Sequence, residues 1–260
     1  MKVISRFIFA VSHLTRLPVP SIEFDPEELG RSTSVFPLVG LLLGGIIVAF
    51  NKILLLFPPE FRASVFVFLT VILTGGMHLD GFMDCIDGLM GGKSRERKLE
   101  IMRDSRVGAL GVAYGTCLLL LKYSLFLCVI KSNWWMGIMI AVPVLSRWGM
   151  SYAVTVFPYA RSEGLGSLFK TYSGTKELVF ATLIALAVTF FTAGATCFLL
   201  LAVTAAVVFF TGKKITLALG GLTGDVYGFI NELLEVVLLF TAFTFAHYWG
   251  LFSKYAFPFL

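Results

Sequence analysis

The chain has 260 residues, 57% of them hydrophobic and only 14% charged, with a formal net charge of +5. Soluble domains carry about 25% charged residues, so this composition excludes an ordinary water-soluble protein and makes lipid the solvent for much of the chain. The basic excess does not point to nucleic acid, and no nucleic-acid partner is expected. A single membrane-embedded domain over residues 1–260 is the expected organisation.

Residues 1–16 place Lys2, Arg6 and Arg16 around a short apolar run, with no small-residue cleavage site before Pro18 and Pro20. An amphipathic or re-entrant helix at the membrane surface is expected there, rather than a cleaved leader. The polar stretch from Pro18 to Arg31 reads as a surface loop or short helix. A spanning helix needs about 20 apolar residues. Candidates run over 34–56, 63–80, 108–130, 135–157, 177–193, 196–211 and 226–250, the fifth and sixth meeting at Gly194 as a tight hairpin. Open strands are excluded because lipid leaves their edges unsatisfied. The expected fold is therefore all-α: a polytopic bundle of about seven transmembrane helices plus the N-terminal helix.

Orientation follows from the basic residues. With the N-terminus in the cytoplasm, fifteen of the 21 lysines and arginines fall on that side, in the groups Lys2–Arg31, Lys93–Arg106, Arg161–Lys176 and Lys213–Lys214. Arg62, Lys131 and Lys254 fall outside, and Lys52, Lys122 and Arg147 within spans. Seven crossings result; if residues 2–16 also span, there are eight and the N-terminus flips. Cys85, Cys117, Cys128 and Cys197 are scattered through apolar runs and read as packing residues.

The chemistry concentrates in residues 75–111. Asp80, Asp84 and Asp87 recur at i, i+4 and i+7, which puts three carboxylates on one helical face. Like charges there repel and lose solvation at a membrane boundary. A divalent cation removes both costs, and oxygen donors suit Mg²⁺ or Mn²⁺. Glu100 and Asp104 form a second i, i+4 pair, so two acidic helical stripes could face each other. Glycines 75, 76, 81, 88, 91 and 92 permit close approach of a ligand. Arg103 and Arg106 flank Asp104; acids plus guanidinium groups are what a phosphate or pyrophosphate substrate requires. Arg95, Arg97 and Lys98 read equally well as topology signals.

Lys122 and Arg147 sit within apolar spans, where a charge usually faces a polar cavity or snorkels to a helix end. In the segment 220–235, Asp225 and Glu232 share a face seven residues apart, with Asn231 and Glu235 on the neighbouring one. A substrate-binding or metal-supporting role is expected, against simple capping by Asp225. The loop 157–169 adds Tyr159, Arg161 and Glu163. His78, beside Asp80, could orient a carboxylate or bind substrate; His13 and His247 are isolated.

The run HLDGFMDCIDG followed by RERKLEIMRDSRVGALG strongly resembles the cobalamin synthase (adenosylcobinamide-GDP ribazoletransferase) family. LTRLPVP, FPLVGLLLGG, SRWGM, PYARSEGLG and GGLTGDVYGFINELLE extend the likeness in order along essentially the whole chain. The resemblance implies a multi-pass enzyme of the cell inner membrane, facing the cytoplasm, at the last steps of vitamin B12 assembly. It implies joining adenosylcobinamide-GDP to α-ribazole or its 5′-phosphate, release of GMP and a need for Mg²⁺. On this reading Asp80, Asp84, Asp87 and Glu100 hold the metal. Arg103 and Arg106 steady phosphate oxygens, with Asp104 as the base. His78, Lys122, Arg147, Arg161, Asp225, Asn231 and Glu232 contact substrate. Membrane lipid is an expected partner, as is a second copy or another enzyme of the same assembly. A looser likeness to CDP-alcohol phosphatidyltransferases keeps a lipid-acting phosphotransferase as the alternative, although the Ala-Arg and linking Gly of that motif are missing. A transporter is a third class; it needs a mid-span acid and internal repeats, and neither is evident in the sequence.

Overall fold

The computed structural model describes residues 2–132 and 134–256, with side chains described to Phe245. The side chains of His247 and Lys254 lie outside that set. Twelve helices follow one another: α1 (Lys2–Leu14), α2 (Pro26–Arg31), α3 (Phe36–Ile53, entered by a 3-10 turn, Ser32–Val35), α4 (Pro59–Thr74), α5 (Met77–Gly91), α6 (Arg95–Ile101), α7 (Ala109–Ile130), α8 (Trp135–Val156), α9 (Leu165–Tyr172), α10 (Thr175–Ala193), α11 (Thr196–Leu219) and α12 (Gly224–Ala256). Among the described residues the only extended pairing is a single bridge between Tyr159 and Leu222. The chain is a polytopic helical membrane bundle, as its hydropathy requires.

Helices α3, α7, α8, α10, α11 and α12 are each long and apolar enough to cross a membrane; α4 and α5 make a further candidate only as a pair bent by 89°. The bend corrects the expected span over 63–80. Gly75 and Gly76 take φ of 64° and 71° in succession, which only glycine adopts without steric penalty, and the first closes α4 as a left-handed cap. His78 and Asp80 therefore belong to a new helix rather than to the end of a span. The N-terminal segment reaches this corner, where the Arg16 amide donates to the Leu73 carbonyl at 2.8 Å.

With 13 residues, α1 is too short to cross. It lays Phe9, Ala10, Val11 and Leu14 against the bundle, leaves Val3 and Ile4 exposed, and is tied to α2 by Arg6 donating to Glu28 at 2.7 Å. The central helix is α8, most of whose side chains are buried. It meets α3 at Gly44, where a Cβ would come within 2.7 Å of the Met139 carbonyl oxygen. Helices α10 and α11 form the expected hairpin and expose Phe180, Phe191 and Phe210, as lipid-facing positions should. Helix α11 runs to Leu219 rather than 211. Lys213 and Lys214 are good helix formers, both are exposed, and nothing stops the helix before Gly220.

Candidate active site

Helix α5 carries Asp80, Asp84 and Asp87 on one face, as the spacing demands, and packs between α7 and α12. Two glycines set the α5–α12 contact. A Cβ on Gly81 would lie 2.7 Å from the Asp225 carbonyl oxygen, and one on Gly228 would lie 3.1 Å from the His78 Cα. The rings of Phe82 and Phe229 stack at 5.1 Å beside this contact. Asp225 is thereby brought to the acidic face, and Asp84 sits within the field of Asp80, Asp225, Asp87 and Arg161.

Arg161 arrives from a loop clasped to the start of α12. The Ala160 amide donates to the Leu222 carbonyl and the Leu222 amide to the Pro158 carbonyl, both at 2.8 Å. From there Arg161 donates to Asp225 Oδ2 at 2.8 Å. Arg95 donates to the Leu219 carbonyl at 2.8 Å, fixing α6 to the end of α11 by satisfying one of that helix's last carbonyls.

Two cavities open at the ends of the acidic face. The first, of about 290 Å³, has Asp80, His78, Arg161, Glu163 and Asp225 in its lining. The second is more open, about 470 Å³, and has Asp87, Arg97, Glu100, Asp104 and Arg106 in its lining. Asp80 and Asp87 are seven helical residues apart, roughly 10 Å, so the stripe runs from one cavity to the other.

Several expected site residues have other partners. Both oxygens of Asp87 are engaged: Oδ2 accepts from the Gly108 amide and Oδ1 from the Gly111 amide, each at 2.8 Å. It caps α7 from another helix, satisfying amides that the first turn leaves orphaned. Helix α6 ends at Ile101, so Asp104 lies beyond it and the two expected acidic helical stripes do not form. Glu100 pairs with Arg97 at 2.8 Å, both well exposed. Asp104 pairs with Arg106 at 2.7 Å, whose hydrogen bonds hold its carboxyl down to about 2. Arg103 is exposed, with its charge reaching Tyr159. Of the expected glycines, Gly81 closes on Asp225, and at Gly88 a Cβ would lie 2.9 Å from the Lys98 carbonyl oxygen, while Gly91 lines the second cavity. Among the described residues, no three carboxylate, histidine or thiol groups converge closely enough to hold a metal ion as they stand.

Lys122, Arg147, Asn231 and Glu232 line neither cavity. They meet in the bundle interior. Lys122, 1% exposed, donates to Glu232 and to Glu235 at 2.6 Å each, and Arg147 pairs with Glu235. Asn231 donates to Glu235 at 3.2 Å and lies 3.3 Å from His78 Nδ1, which links the network to α5. Two acids and two bases cancel, so the cluster satisfies the requirement that buried charges be paired. Buried acids do therefore occur between spans, although the sequence revealed none near mid-span; every one of them is matched by a base.

The first cavity also recruits residues to which the sequence assigns no role: Phe36, Phe169, Tyr227 and His13. Burial, helped by the nearby Arg16 charge, lowers His13 to about 4, so its ring is neutral at ordinary pH. Phe36 and Tyr227 lie within the motifs FPLVGLLLGG and GGLTGDVYGFINELLE, but Phe169 is one of 26 phenylalanines and His13 stands alone, and no spacing brings the four together.

Fold and site together define a multi-pass helical membrane protein with an acidic, arginine-bearing site between two cavities. The chain matches the family model for cobalamin-5-phosphate synthase over residues 6–243, and it belongs to that family. It is 41% identical over 243 residues to the adenosylcobinamide-GDP ribazoletransferase of Desulfitobacterium hafniense, covering 90% of this chain and 94% of that one. It is 41% identical to the same-named protein of Roseiflexus sp., covering 89% and 87%, and 37% identical to that of Pseudomonas savastanoi, covering 90% and 97%. No solved structure matches the fold.

Proposed function

We propose that this protein joins adenosylcobinamide-GDP to α-ribazole, or to α-ribazole 5′-phosphate, and releases GMP. The acidic face of α5 carries the reading, because it connects a cavity of nucleoside size to a wider one, with a guanidinium at each end. A ring hydroxyl of the ribose, free in both acceptors as the 5′ oxygen is not, attacks the phosphorus on the cobinamide side. A new P–O bond forms, the hydroxyl proton passes to solvent, the pyrophosphate P–O bond breaks, and GMP leaves with the electron pair.

Arg161 and Arg106 are the proposed binders of phosphate oxygens, with Arg103, whose charge reaches Tyr159 beside Arg161, as a third. Asp104 is fully ionised beside Arg106. A group held at about 2 is a weak proton acceptor at neutral pH, so its assigned part is to aim Arg106 rather than to take the proton.

Mg²⁺ suits the donors in type. Asp80, Asp84 and Asp225 crowd one place with Arg161 as their compensating charge, and hard carboxylate oxygens are what this ion selects. Asp80 and Asp84 are its proposed holders, with Asp225 joining if Arg161 turns to substrate. Asp87 and Glu100 complete the expected set only by sharing or leaving their present partners. When bound, the ion supplies positive charge against the pyrophosphate oxygens.

Purified protein in detergent, given both substrates, should release GMP only when Mg²⁺ is present. CMP release from a CDP-lipid, with no GMP, would instead support the lipid-acting alternative. An inner-membrane location with the site facing the cytoplasm is part of the proposal, supported by the basic residues gathered around the acids. A cysteine placed at Ser94 should react only with a probe supplied from the cytoplasmic side; labelling from outside alone would reverse the orientation. Association with a second copy or with other enzymes of the assembly belongs to the same proposal. Cross-linking in native membranes tests it, and an exclusively monomeric pattern would dismiss it.

A further inference from the structure

The first cavity encloses about 290 Å³, at the lower end of the roughly 300–1,000 Å³ usual for small-molecule sites. A nucleoside fits such a space, whereas a corrin macrocycle with its amide side chains does not. Its walls also change character. Asp80, Arg161, Glu163 and Asp225 are its charged lining, while Phe36, Met150, Val154 and Phe169 give it an apolar part buried in the bundle.

Three lining residues also carry a buried side-chain atom with no hydrogen-bond partner: Arg161 Nε, Tyr227 Oη and His78 Nε2. Tyr227 and His78 are only 4% and 1% exposed. Buried polar atoms are nearly always satisfied, so such atoms gathered on the residues of one cavity mark a place where something else hydrogen-bonds.

We infer that this cavity is the acceptor subsite, taking the methylated benzimidazole of α-ribazole into its apolar part with the ribose against Tyr227 and His78. The inference rests on the transferase reading above. The rival occupant is the guanine of the other substrate. Guanine carries a carbonyl and several N–H groups along its edge, and Met150, Val154 and the phenylalanines offer them nothing, so each would be desolvated without compensation. The benzimidazole presents two methyl groups along the same edge. Seated this way, the ribose hydroxyls face the charged lining, where Asp80 begins the acidic stripe.

The test measures KM for each substrate with detergent-purified Tyr227→Phe, which removes one hydroxyl and keeps the ring, and with Val154→Phe, which fills the apolar part. Tyr227→Phe should raise the KM for α-ribazole by up to about tenfold, the scale of one hydrogen bond, and leave the KM for adenosylcobinamide-GDP unchanged. Val154→Phe should discriminate against α-ribazole relative to the unmethylated benzimidazole riboside. If the variants instead change the KM for adenosylcobinamide-GDP, or both alike, the subsite assignment is overturned while GMP release by the wild type keeps the transferase reading. Should the wild type release no GMP, that reading fails. Equilibrium dialysis of labelled α-ribazole then decides the cavity: binding that Tyr227→Phe weakens upholds it, and no binding, or binding the variant leaves unchanged, overturns it.

Discussion

Gly81 of α5 rests directly on the backbone of Asp225 in α12, so close that a Cβ at Gly81 would come within 2.7 Å of the Asp225 carbonyl oxygen and 3.0 Å of its Cα. Backbone cannot step aside as a side-chain tip can. The contact is what sets Asp225, and Arg161 behind it, beside the acids of α5.

Gly81→Val should therefore separate the two helices and displace Asp225. Overpacking of this kind costs typically about 1–3 kcal/mol, but activity should fall further than stability, by more than about a hundredfold, since the acids and Arg161 no longer meet. GMP release alongside a thermal melt in detergent checks this. Near-normal turnover would show that the Gly81 contact does not position the site.

Asp84 and Asp87, one helical turn apart, should respond differently to loss of charge. Asp84→Asn should abolish GMP release and leave the melting temperature near the wild-type value, because no hydrogen bond of the fold depends on it among those described. Asp87→Asn keeps one acceptor oxygen for the two amides of Gly108 and Gly111 and should melt earlier, on the scale of about 0.5–2 kcal/mol for a lost helix cap. Excess Mg²⁺ should not restore that stability. An Asp87→Asn protein that melts normally yet is inactive would return Asp87 to the metal-binding set.

The interior network predicts a strong single-site effect. Lys122→Met leaves Glu232 and Glu235 with Arg147 as their one remaining cation. Breaking a buried pair by removing one partner costs about 3–5 kcal/mol, so yield and melting temperature should drop sharply. Adding Glu232→Gln removes the surplus charge and should recover much of the loss. Failure of the double variant to recover would show that packing, not charge balance, is what Lys122 contributes.

Asp104 separates two roles by magnitude. If it aims Arg106, Asp104→Asn should lower turnover less than about tenfold and raise the KM for adenosylcobinamide-GDP. Removal of a general base costs 10²–10⁴-fold in rate, about 3–5 kcal/mol in barrier, with ground-state binding kept. Steady-state kinetics on protein that melts like the wild type distinguishes them, and a loss in the larger range at unchanged KM would restore Asp104 as the base.

What the sequence alone determined is what depends on short stretches of chain. Long apolar runs locate α3, α7, α8, α10 and the start of α12 because crossing lipid needs length and hydropathy and nothing else. The i, i+4, i+7 spacing puts Asp80, Asp84 and Asp87 on one face because helical period is a local property. The tertiary structure alone decided the partners. Asp87 meets the amides of Gly108 and Gly111 across 21 and 24 residues, and Lys122 meets Glu235 across 113. No periodicity carries such information, so two buried bases that resemble ligand contacts turn out to balance two buried acids. The break at Gly75 and Gly76 belongs to the same class: two glycines in an apolar run can continue a helix or end it, and the 89° turn is chosen by what α5 packs against. Asp104 fell to its neighbour for the opposite reason, because a contact two residues away displaced the helical spacing that would have matched it with Glu100.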